Sequence, residues 1–278
     1  MNLAKFFRAG GPRESGAIEA DISPVELPPT DVLLAALHAL AEKHDPVSRY
    51  LDAFNTGTFK HPDGRTDELG VVKVEPGAVA LLSYLIKKSP TPLSIEVGFG
   101  MGTSCAVLLS TLADSRRDFE HVVFDPFGLG GGRGTVVEAY LKERFGRKFR
   151  RVHQRSEIGL AQLYAQRGAG AAGFVFIDGS HLFENVVADF VLADLLCARR
   201  GFIAFDDSCY PAIEAVVNYI AANRPDYTVM RLAAPNLSVI QKIHGDKREW
   251  SSFNPFEVPN RRDWTPADAA QIVPSRPD

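Results

Sequence analysis

The sequence predicts an α/β fold in which helices cover both faces of a mostly parallel sheet. Three observations predict it. The apolar run Leu93–Val97 leads through a glycine-rich turn into a helical segment, which is the strand–turn–helix unit of parallel sheets. Strand-like and helix-like segments then alternate as far as Asn223, as in a doubly wound sheet. Two last strands, 227–232 and 237–242, flank a short turn and form a closing hairpin.

Length, composition and charge narrow the class of protein. A chain of 278 residues can bury one sizeable core. A hydrophobic content of 45% and a charged content of 23% are ordinary for a soluble globular protein. The net charge of −3 gives no electrostatic case for a nucleic-acid partner. No apolar stretch reaches the length of a membrane span, and the N-terminus lacks the apolar region of a signal peptide. We therefore expect no nucleic-acid or membrane partner.

The three cysteines indicate the compartment. Cys105, Cys197 and Cys209 are widely spaced, and none has a partner at the spacing of a zinc site. A disulfide framework is not expected from such a set, and a reducing cytoplasm fits it.

The main domain is expected to follow an arm and a helical segment. Residues 1–28 are rich in glycine, proline and small polar residues, which indicates a mobile arm. Thr30 or Asp31 can cap a first helix, with apolar positions 32, 33, 37, 40 and 41 near one face, and a second helix follows Pro46. These helices suit a homo-oligomer contact. The expected organisation is a mobile N-terminal arm at 1–28, a helical cap and polar loop at 29–70, the main domain at 71–243 and a C-terminal tail at 244–278.

Within the main domain each element has a local signal. Pro76 suits the first turn of a helix, and apolar residues at offsets 0, 3, 4, 7 and 8 mark the helix that starts at Phe183. The basic pair and glycine at 199–201 are expected to close that helix. The glycine-rich residues 128–134 are expected to form a mobile cover over the ligand-binding edge of the sheet. Pro266 is expected to lie in the first turn of a short helix in the tail. The expected elements, in order, are helix Pro76–Lys88, strand Leu93–Val97, a helix containing 106–109, strand 121–124, helix 135–145, strand 149–153, a helix ending near 167, strand 174–177, a helix from 183 to 201, strand 202–205, helix Pro211–Asn223, and strands 227–232 and Leu237–Lys242.

The glycine-rich turn carries the first functional signal. Gly98, Gly100 and Gly102 permit a tight turn and close approach of a ligand to the backbone, and Ser104 lies where a helix N-terminus offers free N–H groups. The spacing is neither that of the dinucleotide fingerprint nor that of a P-loop. Glu96 favours a ligand with an ammonium group over a pyrophosphate. The alternative is an ordinary glycine-rich strand-to-helix turn.

Carboxylates at the ends of three further strands carry the second signal. Asp125 ends the next strand, where an acidic residue accepts both hydroxyls of a ribose. Asp178, Asp206 and Asp207 follow two strands whose carboxyl ends lie at the ligand-binding edge of an open sheet. Three like charges repel unless a cation lies among them. Oxygen ligands favour Mg²⁺, with Mn²⁺ or Ca²⁺ as alternatives. The competing interpretation is that these aspartates cap the helices that follow.

The stretch 93–109 resembles the first motif of the class I S-adenosylmethionine (SAM) methyltransferases, in which the loop passes under the methionine part of SAM. The resemblance implies a Rossmann-like, doubly wound, seven-stranded sheet with one antiparallel strand. It implies SAM as the cofactor, held by Glu96, Gly98, Gly100, Gly102, Ser104, Asp125 and Asp178. The turn at 154–157 is similar to the one that lies along adenine in this family, which implies a contact from Ser156.

A narrower resemblance rests on two motifs. Asp178-Gly179-Ser180-His181 and Phe205-Asp206-Asp207 resemble the metal-dependent small-molecule O-methyltransferases of the macrocin and mycinamicin sugar type, and more distantly the catechol and caffeoyl-CoA O-methyltransferases. The resemblance covers residues 70–243 and implies Asp178, Asp206 and Asp207 as ligands of a divalent metal and His181 as the base. The expected activity is methyl transfer to a hydroxyl of a small sugar or natural-product diol. The alternatives are a metal-independent methyltransferase, an NAD-binding oxidoreductase, which the glycine spacing and the hairpin disfavour, and a catalytically silent SAM-fold module.

Overall fold

The structure is a computed structural model that describes residues 22–69, 74–116, 118–126, 133–234 and 236–259. The helices are α1 Thr30–Lys43, α2 Asp45–Thr56, α3 Pro76–Lys88, α4 Thr103–Ser115, α5 Arg133–Phe145, α6 Ser156–Arg167, α7 Phe183–Leu196 and α8 Pro211–Asn223. The strands are β1 Thr58–Lys60, β2 Thr66–Glu68, β3 Leu93–Val97, β4 Glu120–Phe124, β5 Phe149–Val152, β6 Ala172–Ile177, β7 Cys197–Phe205, β8 Tyr227–Ala234 and β9 Leu237–Lys242.

Strands β3 to β9 form one seven-stranded sheet in the order β5-β4-β3-β6-β7-β9-β8. The pairs from β5 to β7 are parallel, and β9 runs antiparallel to both of its neighbours. The predicted seven-stranded, doubly wound sheet with a closing hairpin is confirmed. The chain moves outward from β3 to β5 and then returns to β6 on the other side of β3, so the strand order reverses between β3 and β6. Ligands of open α/β sheets bind at the carboxyl ends of the strands flanking such a reversal.

Helices bury an apolar core against each face of the sheet. Helices α1 to α5 contribute to one hydrophobic cluster and α6 to α8 to the other. The predicted helical cap is therefore part of the packed structure: Leu37 of α1 and Tyr50 of α2 are almost completely buried in the first cluster. Val32 was predicted on the apolar face of α1, but it is 52% exposed because the stripe that packs on α3 passes through Leu33, Leu37 and Leu40 instead.

Two predicted elements are wrong in part. The polar loop at 55–70 contains a short hairpin in which Thr58 pairs with Glu68. The helix predicted to close at 199–201 ends at Leu196, and β7 already begins at Cys197. Cys197 pairs with Ala172 of β6, and the backbone of Arg200 is left-handed (φ 69°). Sheet pairing therefore prevails over the local signal for a helix end.

Several expectations fall on residues outside those the structure describes. These are most of the mobile arm, which is described only from residue 22, the glycine-rich cover at 128–132 and the tail helix at Pro266. The described part of the tail, 244–259, contains no helix or strand. Across the described ranges, no helix combines the length and the apolar character that crossing a membrane requires.

Candidate active site

The turn after β3 passes so close to β6 that only glycine fits its first position. Gly98 has φ +92°, and a Cβ there would lie 1.9 Å from the backbone oxygen of Asp178. The Phe99 and Gly100 N–H groups donate to Oδ2 of Asp125 at 2.7 and 3.2 Å. The tight turn therefore brings the end of β4 and the end of β6 to opposite sides of the glycine loop.

A cavity of about 570 Å³ lies at this edge of the sheet. It is lined at one end by the start of α6 and at the other by the ends of β6 and β7. Most of the residues that the sequence singled out line it, namely Gly98, Gly100, Ser104, Asp125, Ser156, Asp178, His181, Asp206 and Asp207. Glu96 and Gly102 do not.

Gly102 contributes to packing and does not line the cavity. It has φ +71° and precedes α4, and a Cβ there would lie 2.6 Å from the ring of Phe99 and 2.9 Å from Val137. Its conformation and its neighbours therefore explain this glycine without a ligand. A contact between Gly102 and SAM stays a prediction.

Glu96 lies under the turn and is completely buried. Ser104 Oγ donates to its Oε1 at 2.5 Å, and Nε2 of His121 lies 2.9 Å from its Oε2. Ser94 in turn lies 2.8 Å from Nδ1 of His121. The carboxylate is thus satisfied within the protein, and Ser104 stands between it and the cavity. Its predicted role toward an ammonium group remains untested. His121 and Ser94 were not predicted; their only signal is a polar residue inside an otherwise apolar strand.

Asp125 has a cationic neighbour that the sequence did not identify as part of the site. Arg151 from β5 lies 3.5 Å from Oδ1 of Asp125 and 3.3 Å from Glu138, and its guanidinium stacks 4.2 Å over the Phe99 ring. The Arg151 side chain is fully buried, so its positive charge lies behind the Asp125 carboxylate at the cavity wall. A carboxylate in this position can accept hydrogen bonds from the hydroxyls of a ribose.

The far end of the cavity is formed by the N-terminus of α6. Ser156 begins this helix and lines the cavity together with its neighbours Arg155 and Glu157. Behind it, Asp189 of α7 is 1% exposed, and neither carboxylate oxygen has a hydrogen-bond partner within the described part of the chain. Burial raises the pKa of Asp189 to about 6. Ser156 therefore separates the cavity from a buried acid.

The opposite end of the cavity is acidic. Burial, then repulsion from Asp207, raises the pKa of Asp206 to about 8. Asp178 is half-buried. Desolvation by its surroundings, then the charges of Asp206, Asp207 and Glu96, raise the pKa of Asp178 well above its ordinary value. The structure thus gathers the three predicted ligands, at a cost in charge repulsion that a cation would relieve.

His181 joins this cluster at its mouth. Its Nε2 lies 3.1 Å from Oδ2 of Asp207, and its ring lies 4.6 Å from that of Tyr210. Ligand atoms of Asp178, His181 and Asp207 all lie within 4.8 Å of one another. Oxygen and imidazole ligands of this kind suit a hard divalent cation. The donor set of Asp178, His181 and Asp207 therefore fits a metal ion, and Asp206, the third predicted ligand, lines the same cavity without belonging to this group.

Comparisons with known proteins agree with this fold. Residues 95–208 match the family model described as a methyltransferase domain. No curated protein matches the chain. Among solved structures, an O-methyltransferase from Bacillus cereus in complex with S-adenosylhomocysteine (SAH) is 14% identical and has a TM-score of 0.55, with 77% of this chain and all of that chain (100%) covered. An SAH-bound methyltransferase from Podospora anserina is 14% identical with a TM-score of 0.53, covering 79% of this chain and 99% of that one. A protein from Corynebacterium glutamicum is 18% identical with a TM-score of 0.53, covering 78% and 99%.

Proposed function

We propose that this chain, which carries a methyltransferase domain at residues 95–208 on the fold of an SAH-bound O-methyltransferase, is a class I SAM-dependent methyltransferase. It would methylate a hydroxyl oxygen of a small molecule, with a divalent metal ion and His181 assisting. The observation that carries this proposal is the gathering of three carboxylates and a histidine at one end of the cavity that the glycine turn opens. The resemblance to the metal-dependent O-methyltransferases supports the same assignment.

The cavity offers a place for each part of SAM. Ser156 at the start of α6 would lie along the adenine, and Asp125 would accept the ribose hydroxyls. Gly98 and Gly100 let the methionine part approach the backbone, and Ser104 and Asp178 line the cavity beyond it. This order directs the sulfonium methyl group toward the acidic end.

The acceptor hydroxyl would be bound at that acidic end. A bound divalent cation supplies a Lewis acid that lowers the pKa of an acceptor hydroxyl. His181 is 35% exposed there and can take the proton from the hydroxyl oxygen. The acceptor oxygen then forms a bond to the methyl carbon while the carbon–sulfur bond of SAM breaks, and the sulfur leaves as the neutral thioether of SAH.

One observation favours a metal-independent alternative. The 3.1 Å contact between Nε2 of His181 and Asp207 resembles the pairing of a general base with a carboxylate that orients it. In that alternative Asp207 fixes the imidazole, and the acceptor proton passes to His181 without help from a metal ion.

Calorimetry and metal binding separate these possibilities. We expect SAH to bind and NAD not to bind, and Mn²⁺ to bind at one site that Asp206→Asn weakens strongly. The matched control is Asp52→Asn, which changes an exposed aspartate on α2. An absence of heat with SAH contradicts the cofactor assignment. Tight SAH binding without Mn²⁺ binding leaves the metal-independent alternative.

Turnover tests the base. His181→Gln should lower kcat by about 10²- to 10⁴-fold, the usual contribution of a general base, while SAH affinity stays near that of the wild type. A kcat close to the wild-type value would show that His181 only shapes the cavity.

Location and assembly belong to the proposal as well. The three cysteines are buried and form no disulfide, which supports a reducing, cytoplasmic environment. A homo-oligomer formed through the N-terminal helices remains a prediction.

A further inference from the structure

Asn236, in the turn between β8 and β9, reaches across to the acidic end of the cavity. Its side-chain nitrogen donates to Oδ1 of Asp207 at 2.5 Å, and its side-chain oxygen accepts a hydrogen bond from the Cys209 N–H at 3.0 Å. Its backbone oxygen accepts from the Ser208 N–H, also at 3.0 Å. One residue of the hairpin therefore holds the segment that follows β7 at three points.

These contacts fix the orientation of the Asn236 amide. A backbone N–H can only donate, so the side-chain oxygen must face Cys209 and the NH₂ group must face Asp207. The amide is thus a neutral donor on Oδ1 of Asp207. It adds no charge of its own to the acidic end of the cavity.

The backbone reinforces this arrangement. Asn236 has φ 59° and Asp207 has φ 51°, and both lie in the left-handed region. Asparagine and aspartate tolerate this region better than most side chains, but it still costs conformational energy, which the surrounding contacts must offset. Two left-handed residues 29 positions apart in sequence are bonded to each other here.

The consequence concerns the second oxygen of Asp207. With Oδ1 held by Asn236, Oδ2 points to His181 at 3.1 Å and remains on the side where Asp178 and His181 gather. We propose that Asn236 is a positioning residue that presents Oδ2 of Asp207 to the metal ion and to His181. This inference rests on the proposed function, since it concerns the metal site of that function.

Removing the side chain without straining the turn tests the proposal. Glycine adopts a positive φ without cost, so Asn236→Gly deletes the amide and keeps the backbone conformation. Loss of a group that orients a metal ligand costs about 10- to 100-fold in metal affinity. We therefore expect the Mn²⁺ dissociation constant, measured by electron paramagnetic resonance, to rise by that factor. SAH affinity, measured by calorimetry, should change less than about 3-fold because Asn236 does not line the cavity.

A second variant and a control complete the experiment. Asn236→Asp keeps an acceptor for the Cys209 N–H but replaces the donor on Oδ1 of Asp207 with a second carboxylate, which repels Asp207 and turns it from its position. It should therefore weaken Mn²⁺ binding. The control Asn254→Gly removes an exposed asparagine whose side chain donates to the backbone of Ala222. It should leave Mn²⁺ binding unchanged.

The outcomes separate this inference from the proposed function. If the wild type binds Mn²⁺ and Asn236→Gly binds it equally well, Asn236 only anchors the hairpin and the inference is overturned while the metal site stands. If the wild type binds SAH but no Mn²⁺, the metal site and this inference both fall. If Asn236→Gly does not fold, Asn236→Asp decides, and unchanged Mn²⁺ affinity in that variant overturns the proposal.

Discussion

Replacing the buried acid next to Ser156, Asp189→Asn, should stabilise the protein at neutral and alkaline pH. Asp189 is 1% exposed, and neither carboxylate oxygen has a hydrogen-bond partner within the described ranges. Burial raises its pKa from 3.8 to about 6, and the charge of Glu157 adds to the rise. The nearby Ser156 hydroxyl lowers the pKa of Asp189 and so offsets part of this rise, although it forms no hydrogen bond of standard geometry with the carboxylate. The amide of asparagine matches the neutral acid in shape and carries no charge to desolvate.

The sign follows from proton binding. Between pH 4 and 6 the folded protein keeps a proton on Asp189 that the unfolded chain has lost, so the free energy of unfolding falls as pH rises through this window. The contribution is complete below the unfolded pKa of 3.8 and lost above about 6. A shift of about 2 units corresponds to about 3 kcal/mol. We take this as the upper limit of the stability difference between the variant and the wild type at pH 8.

Urea unfolding of both proteins from pH 4 to pH 8 measures the difference. The wild type contains other shifted acids, but their contributions cancel in the comparison with the variant. The matched control is Asp194→Asn on the same helix. Arg224 and Lys242 lower the pKa of Asp194, so this variant should be destabilised at pH 8, and its deficit should shrink as pH falls.

Two results would refute the reasoning. An Asp189→Asn variant no more stable than the wild type at pH 8 would mean that the ionised carboxylate is well solvated. A difference that does not vary with pH would mean that the substitution acts through packing and not through ionisation.

Two further substitutions test the cavity wall, and a third tests the packing of α2 in the core. Gly98→Ala should abolish SAH binding in calorimetry, because the new Cβ would lie 1.9 Å from a backbone oxygen of β6's end; binding like that of the wild type would mean that the turn can move. Ser104→Ala should weaken SAH binding about 10-fold, because it removes a hydroxyl bonded to the carboxylate of Glu96; unchanged affinity would make that bond purely structural. Tyr50→Phe should lower the free energy of unfolding by about 1 to 2 kcal/mol, because it leaves the backbone oxygen of Val74 without its buried donor, and urea titration with no change would contradict this.

Much of the fold could be predicted because local signals and tertiary packing agree. The run Leu93–Val97 is buried at every position, and both Pro76 and Pro211 begin helices, as their fixed φ favours. The closing hairpin was predictable from two apolar segments and the short turn between them. The start of β7 was not, because residues 197–201 form a strand through pairing with β6 and bend at a left-handed Arg200. No local pattern reports that pairing.

The acidic end of the site was predictable in part. Strand-end aspartates reach the same edge whenever the strands are parallel neighbours, so Asp178 and Asp207 could be expected to meet. The orientation of the Asp207 carboxylate could not, since it depends on Asn236 from the closing hairpin and on His181. No local pattern in the sequence indicates those side-chain contacts.

Glu96 was predicted to face a ligand ammonium group, but it lies buried beneath the turn and does not line the cavity. The strand register pairs Ser94 with His121 and Glu96 with Val123, which lets the His121 ring bridge Ser94 and Glu96 on one face of the sheet. With Ser104 on its other oxygen, the carboxylate has a partner within the protein for each oxygen. The predicted attraction for a ligand ammonium would then have to act through space and through the Ser104 hydroxyl, which lines the cavity. The low dielectric constant of the protein interior screens a buried charge less than water does. An indirect attraction of this kind would therefore still favour a cationic ligand over an anionic one.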